Sequence, residues 1–411
     1  MNITLKNIGK VQNARVNITG ITVIAGENDT GKSTISKSLF AMFHGFHNLE
    51  KRMSYDLKES VLKVFRTYLG QQISYNLLNS YSQKFLETFS NGGTIDEVKE
   101  WLSNHNAELF SPDVLKDVVP RICEYINISK DLLRKGVLTK IFRDEFHRQI
   151  NSLQSPDEGY ISLSIKQKQL SVSLKNNEII DFIDNVPLKT DVIYLDNPFV
   201  LDELDNFSWR PPSMEYIGSY EMNHERWAIW CLLSKRSISA EEIIVRNRLQ
   251  HIYEKLNDVC QGDLKTFPTT EEWAYQKNDK AFLLRNLSTG LKTFVILKAL
   301  LENGSLTQRG TLILDEPEIH LHPSWQLIFA EIIVLLHKEF DLHILINTHS
   351  PYFLRAIEVY VKKYDLQDKC DFYLSTSNGD IAEFENVNEN IEKIYKKLWQ
   401  PFQRLENEEQ D

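Results

Sequence analysis

Cysteine is scarce. Cys123, Cys231, Cys260 and Cys370 are the only four in 411 residues, far apart and with no C-x-x-C pair. A disulfide framework and a thiolate zinc site are not expected, and the pattern fits reduced thiols in a cytoplasmic protein. No apolar run approaches the ~18 residues needed to cross a bilayer, and the opening MNITLKNIGK lacks the apolar core of a secretory signal. No membrane partner is therefore expected. Positive charge is in deficit too: 47 Lys plus Arg face 57 Asp plus Glu, a formal charge of −10. That argues against a globally basic nucleic-acid binder and leaves open only a local stripe. Repeats, low-complexity tracts and sustained heptads are all missing, so no long coiled-coil arm is available. What remains is 42% hydrophobic and 25% charged, over a length that suggests two or three domains.

Residues 2–6 (NITLK) and 14–19 (ARVNIT) read as short strands around a Gly9 turn, and 21–25 (ITVIA) as a buried strand stopped at Gly26. A helix, ISKSLFAMF, follows the loop GENDTGKST. From 46 to about 155, apolar residues recur at helical spacing, as in Leu62, Phe65, Tyr68 and Leu69. Breaks are expected at Asn91-Gly92-Gly93, Ser111-Pro112 and Ser155-Pro156. Alternation in YISLS (160–164) and QLSVSL (169–174) predicts a hairpin, and VIYL (192–195) a strand ended by Asp196-Asn197-Pro198. Trp209-Arg210-Pro211-Pro212 reads as a loop, with helices resuming over 222–259. Beyond 283, helix and strand alternate (LKTFVILKALL, TLILDE, PSWQLIFAEIIVLLHK, HILINTH), the mark of a parallel α/β sheet.

The chemistry gathers at the ends of these apolar strands. Gly26-Glu27-Asn28-Asp29-Thr30-Gly31-Lys32-Ser33, followed by Thr34, completes G-x-x-x-x-G-K-[ST] between a strand and a helix. In that context the loop's N–H groups cradle a β-phosphate, Lys32 meets the β/γ oxygens, and Ser33 offers a hydroxyl to Mg²⁺. Asp315 and Glu316 cap the strand TLIL. At the carboxyl end of a strand buried on both faces, Asp315 suits Mg²⁺ and Glu316 suits polarising an attacking water. His349 ends the next strand, within reach of a γ-phosphate beside Glu316, and Ser288-Thr289-Gly290 opens a helix as a further anion site.

Together these four features resemble an ABC-type ATPase head. Leu287-Ser288-Thr289-Gly290 looks like that family's signature with Thr in its third position. Within the superfamily the chain is similar to the Rad50, RecF and structural-maintenance branch. It is more similar still to OLD-like bacterial ATPases, whose DEPExHLHP and THSP strings are nearly repeated in Asp315–Pro323 and Thr348–Pro351. The resemblance implies an α/β head with a mainly parallel sheet, formed by 1–45 and 281–365. A large helical insertion, 46–280, would carry a small antiparallel β element, and 366–411 a strand and an amphipathic helix. It also implies ATP and Mg²⁺ as ligands, ATP hydrolysis, and a homodimer or assembly of dimers in which Ser288 and Gly290 of one chain complete the site of the other. Small ATPases of this kind, such as the Septu subunit, serve anti-phage systems beside a separate effector nuclease. The alternative is a repair or recombination ATPase acting on DNA directly.

Several features depart from that pattern or compete with it. No Q-loop glutamine is evident, and Asn197 is its only substitute. Segment 366–411 is too short for the Toprim nuclease of OLD proteins, so no intrinsic nuclease is expected. His320 and His322 near Glu318 imitate a metal cluster but occupy the place of the family's D-loop, where dimer contact or packing is expected. Residues 130–175 hold nine Lys/Arg, a solvated face or a nucleic-acid contact. Ile391, Ile394, Tyr395 and Leu398, with Trp399 and Phe402 beyond, form a stripe that packs on its own head or docks a partner.

Overall fold

In the computed structural model, residues 1–69, 73–105, 110–206, 223–234, 249–267 and 272–408 are described. The loop expected at Trp209–Pro212 lies outside them. The chain begins with strands β1 (Asn2–Ile8), β2 (Val11–Asn17) and β3 (Ile21–Gly26), then the helix Lys32–Phe46. After a helical stretch come β4 (Gly159–Ile165), β5 (Lys168–Lys175), β6 (Glu178–Asp184) and β7 (Val192–Leu195). The helices His224–Leu233 and Gln250–Val259 precede β8 (Asp263–Thr266), β9 (Trp273–Lys277) and β10 (Lys280–Leu283). Helix Thr289–Glu302 leads to β11 (Thr311–Asp315), helix Pro323–Phe340 to β12 (His343–Thr348), and helix Pro351–Lys363 to β13 (Cys370–Asn378) and β14 (Ile381–Asn386). The helix Glu392–Glu408 follows.

Eleven strands form one sheet in the order β6-β5-β4-β1-β2-β14-β13-β3-β12-β11-β7. Its functional half is parallel: β13, β3, β12, β11 and β7 run side by side in one direction. These strands are apolar and β-branched because helices cover both faces; β3 and β11 are buried at every residue. The other half is antiparallel apart from one parallel pairing of β14 with β2, so the sheet is mixed, with the expected parallel α/β portion carrying the strand ends of interest.

Two expectations about organisation need correction. The described chain divides into two compact units, and residues 141–206 and 223–280 fall with residues 1–47; the helical unit is 48–140. The reason is register. β4 pairs residue for residue with β1, which draws the predicted 160–175 hairpin into the main sheet, and β7 pairs with β11. The small antiparallel sheet is instead β10-β9-β8. Within 366–411 the chain forms β13, β14 and the last helix, and β13 runs beside strand β3. The stripe of its last helix packs inward: Ile394 is fully buried, Tyr395 donates to Glu358 (2.9 Å), and Lys397 reaches Glu27 of the P-loop (2.9 Å). Trp399 stays exposed.

The helical unit has its own aromatic core, with Phe65, Tyr81, Phe85 and Phe110 buried against Trp101. Ser74 and Ser111 cap its helices, as the predicted break at Ser111-Pro112 requires. Five of the nine basic residues of 130–175 have acidic partners. Arg134 pairs with Glu50, Lys135 with Asp131, Lys140 with Asp56, Arg143 with Glu178 and Lys175 with Glu158. Among the described residues no helix is long and apolar enough to cross a membrane.

Glu331 on helix 323–340 ties three helices together. It accepts from Lys255 (2.6 Å), Lys363 (2.7 Å) and the Tyr364 hydroxyl (2.6 Å). Burial disfavours its charge, but these donors outweigh that cost and lower the carboxyl to about 2. A lowered carboxyl stabilises the fold at pH above its ordinary 4.5, and the contribution disappears as pH falls from there through about 2. Glu331→Gln should cost roughly 1–3 kcal/mol at neutral pH, towards the lower end because Lys363 is half exposed. Urea unfolding should show this deficit shrinking below pH 4.5, and a constant deficit down to pH 2 would contradict the account.

Candidate functional site

The loop after β3 is shaped by its backbone. A Cβ on Gly26 would lie 2.2 Å from the Ser375 carbonyl oxygen on β13, so only glycine lets the two strands approach there. Asp29 (φ 63°) and Gly31 (φ 77°) take left-handed conformations that turn the chain back onto the helix starting at Lys32. Thr30 is buried, donates to the Glu27 carbonyl (2.8 Å) and meets Ser375 Oγ at 2.7 Å. Glu27, Asn28 and Asp29 are exposed, with Asp29 paired to Lys10. Ser33 is exposed, and the Thr34 amide bonds the Gly31 carbonyl (3.1 Å). The result is a glycine-bearing loop running into a helix N-terminus, the geometry that binds phosphate.

Lys32 is the centre of this loop. Its ammonium is 4% exposed and donates to the carbonyls of Gly26 (3.1 Å) and Glu27 (2.7 Å), 3.9 Å from Glu316 Oε1. Burial pushes its pKa below the ordinary lysine value, against the pull of Glu316, Asp315, Glu318 and Glu27. Sheet register brings the remaining groups level with it: Thr348 lies opposite Ala25, and Asp315 opposite Asn347. His349 Nδ1 lies 3.2 Å from Glu316 Oε1. The His349 ring holds the Glu316 carboxyl below its usual range, and the carboxylate in turn raises the histidine. Glu316 sits at φ 50°, in the left-handed region that a non-glycine residue rarely adopts, with its amide bonded to the Asn347 carbonyl (2.9 Å). This backbone turn directs Glu316 along the sheet edge towards Lys32 and His349.

Asp315 is almost fully buried, and each of its oxygens accepts a hydrogen bond: Oδ2 from the Tyr194 hydroxyl and Oδ1 from Asn347 Nδ2, both at 2.9 Å. Each oxygen keeps a lone pair. Carboxylate oxygens of this kind, like hydroxyl oxygens, suit Mg²⁺ that retains several waters. Sequence reasoning missed Tyr194, Asn347 and Glu318. Glu318 is buried beneath His349, accepts from the Thr348 hydroxyl and the His349 amide (3.3 Å), and leaves Oε2 without a partner. The signal was present as a polar residue in each otherwise apolar strand, VIYL and HILINT, and as the third acid of DEPE.

Ser288 caps helix 289–302 without bonding it through its side chain. A Cβ on Gly290 would meet the His320 carbonyl at 2.8 Å, so this glycine serves close packing against 320–325. Asn197 is committed locally, its Oδ1 accepting from the Phe199 amide (2.9 Å). His322 caps helix 323–340 by accepting from the Ser324 amide, and His320 packs edge-on to Phe199. Both histidines have packing roles, and they form no metal cluster among the described residues.

The Gly26 contact is testable. Gly26→Ala should cost about 1–3 kcal/mol because β3 and β13 must separate. Gly136→Ala, where a Cβ meets nothing within 4 Å in a helix, should instead gain about 0.5–1 kcal/mol. Chemical unfolding of both variants checks the contrast, and equal effects would contradict it.

Residues 143–355 match the family described as "AAA domain, putative AbiEii toxin, Type IV TA system". The Retron Ec83 probable ATPase of Escherichia coli is 31% identical over 144 residues, covering 28% of this chain and 26% of that protein. The Retron Vc95 probable ATPase of Vibrio cholerae serotype O1 biovar El Tor is 21% identical over 387 residues, covering 82% of this chain and 67% of that one. The chain thus spans only 26% of the first relative's length. Among solved structures, the SMC head domain from Thermotoga maritima aligns with a TM-score of 0.40 at 12% identity, over 94% of this chain and 98% of that one. An Smc head domain with an extended coiled coil, bound to the C-terminal domain of ScpA derived from Pyrococcus furiosus, gives 0.40 at 9% identity, over 97% and 98%. Because the family match spans more than half of the 411 residues and contains Ser288, Asp315, Glu316 and His349, the chain belongs to this AAA-domain family.

Proposed function

We propose that the chain binds Mg²⁺–ATP at the carboxyl edge of β3, β12 and β11 and hydrolyses it. The observation that carries this reading is the convergence of Lys32, Glu316 and His349 within 4 Å contacts at the mouth of a P-loop. Lys32 and the loop amides bind the β- and γ-phosphates; Gly26, Asn28, Asp29, Thr30, Gly31 and Thr34 shape or flank that cradle. Ser33 and Asp315 would hold Mg²⁺, which would supply Lewis-acid withdrawal of electron density from the phosphate oxygens. Glu316, kept ionised by His349, orients a water and takes its proton as the water oxygen attacks the γ-phosphorus. The bond to the β-γ bridging oxygen breaks, and ADP leaves with the electron pair. His349 lies on the same edge and steadies the γ-phosphate. Both curated relatives are named probable ATPases of retrons, which supports the same chemistry here.

The finer reading is an OLD- or Septu-like role. Two chains close over ATP, Ser288 and Gly290 of one facing the phosphates of the other, and the cycle governs a separate effector nuclease in anti-phage defence. The Ser288 side chain, uncommitted to its own helix cap, supports the composite site. The paired charges of 130–175 lend no support to direct DNA binding.

Phosphate release and calorimetry test this. Glu316→Gln should retain ATP binding and lower turnover about 10²–10⁴-fold, whereas Lys32→Ala should lose tight binding. The Glu316→Gln chain should gather as an ATP-dependent dimer in light scattering, and adding Ser288→Arg should disperse it. Wild-type turnover by Glu316→Gln would overturn the assigned base. Unchanged ATP affinity in Lys32→Ala would overturn the site itself.

A further inference from the structure

A second group of ionisable side chains gathers where β7 ends and helix 224–233 begins. The His224 side chain is only 5% exposed. Glu145, wholly buried, grips it twice: Oε2 accepts the His224 amide proton (2.9 Å) and Oε1 lies 2.8 Å from Nδ1. A carboxylate on Nδ1 fixes the proton there and leaves Nε2 as the ring's coordinating atom. Nε2 is 2.9 Å from Asp196 Oδ2. One ligand atom each from Asp196, His224 and Glu225 lies within 4.8 Å of the others. Two ligands about 2.1 Å from one ion, at right angles, sit about 3 Å apart, which matches the Asp196–His224 edge. A carboxylate–histidine pair aimed at two further carboxylates is how proteins orient a metal-binding imidazole.

We propose that Asp196, His224 and Glu225 hold a divalent transition-metal ion of the Mn²⁺ or Zn²⁺ class, with Glu145 as the positioning residue. One imidazole among carboxylates suits these ions better than it suits Mg²⁺ or Ca²⁺. Asp196 reaches solvent, giving an ion entry and waters to complete its shell. The site is distinct from Ser33 and Asp315 but linked to them. The Tyr194 ring stacks on His224 at 4.1 Å while its hydroxyl donates to Asp315, so an ion on His224 braces the tyrosine that holds Asp315. The competing arrangement is a protonated His224 bridging Glu145 and Asp196.

The full chain, stripped by chelation and free of nucleotide, separates the two. Free Mn²⁺ followed by electron paramagnetic resonance, and Zn²⁺ by competition with a chromophoric chelator, should show one ion bound per chain. Glu225→Gln and Asp196→Asn should each weaken binding at least about tenfold, with circular dichroism unchanged, while Ser33→Ala binds as wild type. If Asp196→Asn fails to fold, Glu225→Gln on the partly exposed acid decides. A folded wild-type chain that retains neither ion, a Glu225→Gln chain with wild-type affinity, or loss of binding in Ser33→Ala would each overturn the proposal.

Discussion

The buried ammonium of Lys32 is the constraint on which the site depends. A charge taken out of water needs close donors or acceptors on all sides. Here two carbonyls of its own loop and the Glu316 carboxylate supply them. Those carbonyls point inward only because Gly31 turns the loop at φ 77° and Gly26 lets β13 press against β3. The sheet order therefore follows from the loop's needs as much as the loop follows from the sheet.

The same logic explains the acids. Asp315 is anchored by Tyr194 and Asn347 from the flanking strands, so its position is set by three parallel strands in register. Glu316 is free of such anchors and reaches His349 and Lys32 through an unfavourable backbone conformation. Backbone strain at one residue, held by the packed strands around it, is a common way to aim a reactive group.

What was legible in the sequence was local. A continuous apolar strand, a glycine-bearing loop and the helix after it declare themselves within about a dozen residues, and so did Asp315, Glu316 and His349 at strand ends. What was not legible required pairing across long separations. Nothing near 160–175 says that this hairpin joins β1, and nothing near 370 says that β13 lies beside the P-loop strand. The stripe at 391–398 shows the ambiguity plainly, because helical periodicity reports an apolar face without saying whether the chain's own core covers it. Here Ile394 is covered by the head, and Lys397 reaches the P-loop. Tyr194 and Asn347 escaped notice because polar atoms inside apolar runs acquire meaning only from their neighbours on other strands, and Glu318 because its partners, Thr348 and His349, lie thirty residues on.

The central claim is that this edge of the sheet is where ATP sits. An experimental structure of the chain with Mg²⁺ and a non-hydrolysable ATP analogue tests it most directly. The β- and γ-phosphates should lie inside the 26–33 loop, with Lys32 Nζ moved from the Gly26 and Glu27 carbonyls onto phosphate oxygens. The metal should rest on Ser33 and Asp315. An analogue bound elsewhere, with Lys32 still on its own carbonyls, would contradict it.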